Sequence, residues 1–146
     1  MSKIIKQKVA VKAEPKEIFR ELNLWAKSRW WPKILIRFKD MPQDLSQGSV
    51  YLQKVNLPFG PKWRTKNTLI KPNTFYIQRT FIDGIFDGFE ELTVKPGEEA
   101  SEVTYCFHYI IRGFLNKLLW EGFFKRVSIK NINLALNSLK KYLEKK

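Results

Sequence analysis

The chain has 146 residues, 44% of them hydrophobic and 28% charged, which suits one globular domain over residues 1–146 with its own core. Its net charge of +13 and aromatic content of 14% invite a nucleic-acid reading that has to be tested against the pattern. With only Cys106 and His108, an internal disulfide is excluded and a Cys/His zinc site nearly so.

Residues 3–12 are β-branched and alternate, and read as a strand. Pro15 then opens a short helix, with Ile18, Phe19 and Leu22 at helical spacing. A second short helical piece, LWAKSRWW, ends at Pro32. Strand two covers residues 34–41, with Ile34, Ile36 and Phe38 on one side. Strand three covers residues 49–56. Leu57-Pro58-Phe59-Gly60-Pro61 is a stiff loop that cannot sit in a central strand. Strand four, residues 62–71, puts Trp63, Thr65, Asn67 and Leu69 on one face. Strand five, residues 74–82, alternates Phe75, Ile77, Arg79 and Phe81 against Tyr76, Gln78 and Thr80. Asp83-Gly84 marks a hairpin. Strand six, residues 85–95, breaks phase near Gly88, which predicts a bulge. Strand seven, residues 101–112, lines up Val103, Tyr105, Phe107, Tyr109 and Ile111. From Phe114 onward one helix of about thirty residues follows. Leu115, Leu118 and Gly122 lead into Ile129, Ile132, Leu136, Leu139 and Leu143. Leu119, Phe123 and Val127 widen that stripe.

This order is α+β. Six consecutive hairpin-linked strands plus the first make a curved seven-stranded antiparallel sheet, with two short helices between strands one and two. One long C-terminal helix covers the concave face. One helix cannot fill such a half-barrel, so space is expected between them.

The segment VAVKAEPKEIFRELN, the RWWP that follows and the closing helix resemble the START-like superfamily. That group includes the birch-pollen allergen, polyketide cyclases and coenzyme-Q-binding proteins. The matching positions are Ala13, Pro15 and Phe19, then Trp30-Trp31-Pro32. The resemblance spans essentially the whole chain and implies a helix-grip fold with an internal cavity. It implies bulky apolar ligands such as lipids, sterols, polyketides or quinones. No universal catalytic set comes with it.

The expected ligand-binding set is Phe38, Trp63, Asn67, Arg79, Phe81, Tyr105, Phe107 and Tyr109 from the sheet, and Leu119, Phe123 and Val127 from the helix. Thr65, Phe75, Ile77 and Leu115 share those faces. An aromatic core without a site gives the same pattern. A cavity below about 100 Å³ would count against a small-molecule site. Arg79 sits among apolar neighbours, so it should pair with Glu90 or Glu91, or meet an anionic ligand group. His108 and Cys106 fall on the outer phase, where neither metal nor catalytic chemistry is indicated. No catalytic residue, metal or cofactor is assigned.

Binding or transport of a hydrophobic small molecule is the leading reading. The alternatives are a cyclase or dehydratase using the same space, with Arg79, Glu90 and Tyr105 as first suspects, and a ribosome- or RNA-associated module. No phosphate-cradling glycine loop or RNA-binding aromatic motif is present. The aromatics fall on inward phases, so nucleic acid is disfavoured. The N-terminus lacks a signal-peptide core and no apolar run spans a bilayer, so the expected location is cytoplasmic. Charge is uneven: residues 83–112 carry −5, while residues 1–40, 41–82 and 113–146 carry +7, +5 and +6. Lys62, Arg64 and Lys66 beside the 57–61 loop could dock on an anionic membrane. Oligomeric state is left open.

Overall fold

Alternation of apolar and polar residues builds seven strands. They are β1 (Lys3–Val11), β2 (Ile36–Lys39), β3 (Val50–Val55), β4 (Lys62–Lys71), β5 (Tyr76–Phe81), β6 (Phe86–Lys95) and β7 (Ser101–Ile111). A computed structural model describes residues 3–25, 30, 36–39, 46–55, 62–84 and 86–145. The strands form one antiparallel sheet in the order β1-β7-β6-β5-β4-β3-β2. The first and last strands are therefore neighbours, and β1 and β2 are its edges. Helix α1 (Pro15–Asn23) starts on Pro15 and buries Ile18, Phe19 and Leu22. The second short helix, the outer ends of strand two and the 57–61 loop lie outside the described residues.

The C-terminal helix runs as α2 (Phe114–Leu119), a π turn (Trp120–Phe124) and α3 (Lys125–Glu144). Its inward stripe is Trp120, Phe124, Ser128, Asn131, Ile132, Ala135, Leu136, Leu139 and Leu143. This corrects the expected phase of the first half. Leu115, Leu119 and Phe123 are exposed, and Val127 is half-buried against the core. The polar Ser128 interrupts the apolar stripe, which makes Leu115, Leu119 and Phe123 look like its continuation. The π turn adds a further offset, since each such turn spends an extra residue.

Three other expectations change. No bulge occurs at Gly88, because β6 and β7 pair without interruption from Phe86↔Ile111 to Lys95↔Glu102. Glycine is needed there for another reason. Its φ is +140° and an added Cβ would stand 2.0 Å from the His108 carbonyl oxygen. The sheet's irregularity falls instead between Asn67 and Leu69. Past it, Ile70 rather than Leu69 lies opposite the buried Ile77 and packs on the core. Strand five begins late, because Pro72–Thr74 forms a 3₁₀ turn and Phe75 is left-handed with φ 53°.

Aromatic rings fill the space between β4–β7 and the helix. Phe86 meets Trp63, Phe107 and Trp120 edge-on at 4.9, 5.3 and 4.8 Å. Each such pair contributes about 0.5–1.5 kcal/mol beyond simple burial. The interior is consequently tighter than the curvature argument suggested.

Candidate functional site

Strand phase places one cation, one carboxylate and several hydroxyls among these rings. Arg79 of β5 lies opposite Asn67 of β4 and Glu90 of β6, and all three point inward. Arg79 Nε donates to Asn67 Oδ1 at 3.2 Å, and its second terminal nitrogen donates to the Leu22 carbonyl at 3.0 Å. That carbonyl belongs to the last turn of α1, where carbonyls lack helical partners and a positive charge is favoured. The guanidinium carbon lies 4.1 Å from the centre of the Trp25 ring, a cation–π contact. Glu90 Oε1 stands 3.9 Å from Arg79 Nη1, an ion pair without a hydrogen bond. Arg79 therefore ties α1 to the sheet, and Glu90 balances its charge.

Glu90 has a second partner, because the Tyr105 hydroxyl donates to Glu90 Oε2. Burial pushes the Glu90 carboxyl above its ordinary pKa, and the Arg79 charge and Tyr105 offset part of this. Burial also raises Tyr105 well above its usual value, and the adjacent Glu90 adds to it. Tyr51, which accepts a hydrogen bond from Trp25 Nε1 at 3.1 Å, is pushed up to about 12 by burial. Gln53 Nε2 donates to Thr65 Oγ1 at 3.2 Å on the same face.

A small cavity adjoins this cluster. Its volume is about 30 Å³, and it is lined by Trp25, Gln53, Trp63, Phe81, Glu90, Tyr105, Phe107, Trp120, Ser128 and Ile132. A second void of about 20 Å³ lies against Leu22, Trp30, Leu92, Ala135 and Leu136, sharing Trp25, Tyr105 and Ile132. The first has room for one or two water-sized groups. It falls below the roughly 100 Å³ expected of a small-molecule site. Four polar atoms on its lining residues are buried without a hydrogen-bond partner: Glu90 Oε1, Ser128 Oγ, Trp63 Nε1 and Trp120 Nε1.

Of the expected set, Trp63, Phe81, Tyr105 and Phe107 line this cavity. Asn67, Arg79 and Tyr109 are buried on the same face but do not line it. The Phe38 side chain lies outside the described residues. Leu119 and Phe123 face solvent. Trp25, Gln53, Trp120, Ser128 and Ile132 join the lining without having been expected there. Counting back in fours from Ile132 finds Ser128, Phe124 and Trp120.

The outer face carries a different cluster. Tyr76 donates to Glu91 Oε2 at 2.6 Å, and His108 Nε2 lies 2.7 Å from Glu91 Oε1. Phe89 stacks on the His108 ring at 4.5 Å. Among the described residues, no three His, Cys, Asp or Glu side chains converge to hold a metal ion.

No family model and no curated protein matches the sequence. Solved structures do. A protein of Thermus thermophilus aligns with TM-score 0.77 at 11% identity over 97% of both chains. Norcoclaurine synthase from Thalictrum flavum, in complex with dopamine and hydroxybenzaldehyde, aligns with TM-score 0.75 at 13% identity, covering 99% of this chain and 88% of that one. The Zhui aromatase/cyclase of Streptomyces sp. R1128 aligns with TM-score 0.74 at 13% identity, covering 97% and 95%. At these identities the likeness concerns the fold. The chain has the START-like, birch-pollen-allergen-like helix-grip fold.

Proposed function

We propose that the protein binds a mainly aromatic or apolar small molecule between the sheet and the C-terminal helix. The observation that carries this is the set of four buried polar atoms without a hydrogen-bond partner on residues that line one aromatic cavity. Buried polar groups are nearly always satisfied, and each exception calls for a reason. The lining residues offer a ligand hydroxyl or carbonyl two indole donors, a serine hydroxyl and a carboxyl oxygen. Its ring system would replace ring–ring contacts already present, at little cost in apolar burial. The similar structures include one solved with two small aromatic molecules, which agrees with this chemistry.

The space must come from movement, since about 30 Å³ admits no ring. The π turn offers the means. Trp120 lines the cavity from a segment whose preceding helix buries nothing. Such turns recur at functional sites. A displacement of this segment would widen the cavity toward the α2 end while the Trp120 indole stays on its wall. Bulky lipids, sterols and quinones stay within this reading as larger versions of the same ligand.

Intrinsic fluorescence reports it, because Trp25, Trp63 and Trp120 line the cavity. 2-Naphthol should quench saturably and bind about tenfold or more tighter than naphthalene, the worth of one good hydrogen bond to a charged or buried group. Filling the cavity with Ser128→Phe should abolish both. Equal binding of the two compounds, or binding that survives the filling, would sink the proposal.

A second reading is favoured by one observation, the desolvated Glu90 beside the Tyr105 hydroxyl. A carboxyl shifted in this direction holds its proton more tightly, the direction that general-acid work in cyclase or dehydratase chemistry needs. Under that reading Glu90→Gln abolishes turnover of a bound polyketide-like substrate but keeps its affinity. Turnover that persists in Glu90→Gln would remove it.

A further inference from the structure

Five large apolar side chains stand in water along ten residues of the C-terminal helix. Phe114 is 80% exposed, Leu115 66%, Leu118 60%, Phe123 52% and Leu119 44%. Helix α2 itself contributes no buried residue. The segment is anchored from its opposite side, by Trp120 and Phe124. At 3.6 residues per turn the four α2 side chains sweep an arc of about 140°. They form a convex ridge, not the wall of a groove. Single exposed apolar residues are ordinary, but a contiguous run of this kind marks a contact surface.

The charge around the ridge is mainly positive. Arg112, Lys117, Lys125, Arg126 and Lys130 stand against Glu121 alone. Glu121 is already engaged by Lys3 at 2.5 Å and Lys125 at 3.6 Å, and Arg112 by Asp87. Lys117, Arg126 and Lys130 make no ion pair among the described residues. These exposed cations are free to meet an external anionic surface. A second copy docked ridge to ridge about a two-fold axis would bring these like charges together.

We propose that this ridge docks the protein on an anionic phospholipid bilayer. Phe114, Leu115 and Leu118 enter the boundary between headgroups and acyl chains, and Lys117, Arg126 and Lys130 meet lipid phosphates. No helix among the described residues is long and apolar enough to cross a membrane, so the contact is peripheral. The basic residues to which the sequence pointed, Lys62, Arg64 and Lys66, belong instead to β4. The ridge also stands independently of the interior site, because the contact needs no bound small molecule.

Vesicle co-sedimentation tests it, using the purified chain with pure phosphatidylcholine and with phosphatidylcholine and phosphatidylglycerol mixed at about two to one. The mixed vesicles should bind about tenfold or more tighter, with the difference shrinking as salt is added. Leu115→Ser/Leu118→Ser should lower binding to the mixed vesicles about tenfold without shifting the melting temperature. Lys117→Gln/Arg126→Gln should weaken binding to the mixed vesicles only. Equal binding of wild type and Leu115→Ser/Leu118→Ser would overturn the proposal. So would a dimer in sedimentation equilibrium that Leu115→Ser/Leu118→Ser dissociates.

Discussion

Glu90 and Glu91 are adjacent in sequence, and each accepts a hydrogen bond from a tyrosine, yet they sit in opposite physical settings. The strand's period of two sends Glu90 inward and Glu91 outward. Inside, Glu90 has lost water, so its carboxyl is pushed upward and Arg79 is its only nearby countercharge among the described residues. Outside, Glu91 keeps contact with water and bridges Tyr76 and His108. The chemistry of the groups is similar. Solvent decides which of the two clusters is costly to break and has polar atoms left for a ligand.

The largest effect that probes this contrast is Glu90→Ala. It leaves Arg79 charged, buried and uncompensated, and should cost about 3–5 kcal/mol in urea unfolding. Removing both charges as Arg79→Met/Glu90→Leu should recover most of that loss, because an apolar replacement of a buried pair is often neutral. A double variant as unstable as the single would show that Arg79 acts mainly through α1 and Trp25. Glu91→Ala should cost no more than about 1 kcal/mol, as part-exposed pairs do. Similar losses at positions 90 and 91 would erase the distinction.

A pH comparison sharpens it further. Glu90's carboxyl is raised in the folded chain, so the folded state holds this proton more tightly than the unfolded state. Its contribution is complete below the ordinary carboxylate value and is lost as pH rises through the raised one. The stability of wild type minus that of Glu90→Gln should therefore fall from about pH 4 upward. A difference that stays flat or grows with pH would mean the carboxyl is not raised. The smallest effect belongs to the exposed ridge, where Leu118→Ser should change stability by about 0.5 kcal/mol or less.

Much of this arrangement is legible in the sequence, for identifiable reasons. Strict alternation over Trp63–Thr65–Asn67, Ile77–Arg79–Phe81 and Tyr105–Phe107–Tyr109 assigns the buried face, and all nine residues are buried. The same period places Arg79 next to a carboxylate, with the choice between Glu90 and Glu91 settled only by register. The helix side is harder to read because its inward stripe passes through Ser128 and Asn131, two polar residues that hydropathy scores as surface. The exposed Leu119 and Phe123 look like core for the mirror-image reason. Gly88 suggests a bulge because its requirement comes from a carbonyl on the neighbouring strand, which local sequence does not show. The cavity's size also escapes the sequence. Curvature suggests room, but the edge-on rings of Trp63, Phe86, Phe107 and Trp120 consume it.

The central claim is that the unpartnered polar atoms beside Glu90 receive a ligand. The direct test is ¹⁵N NMR of the tryptophan indole groups, assigned by Trp→Phe variants, during titration with 2-naphthol. The account predicts that the Trp63 and Trp120 indole resonances move together and saturate, and that Ser128→Phe suppresses both shifts. Indole resonances at Trp63 and Trp120 that stay fixed throughout the titration would contradict it.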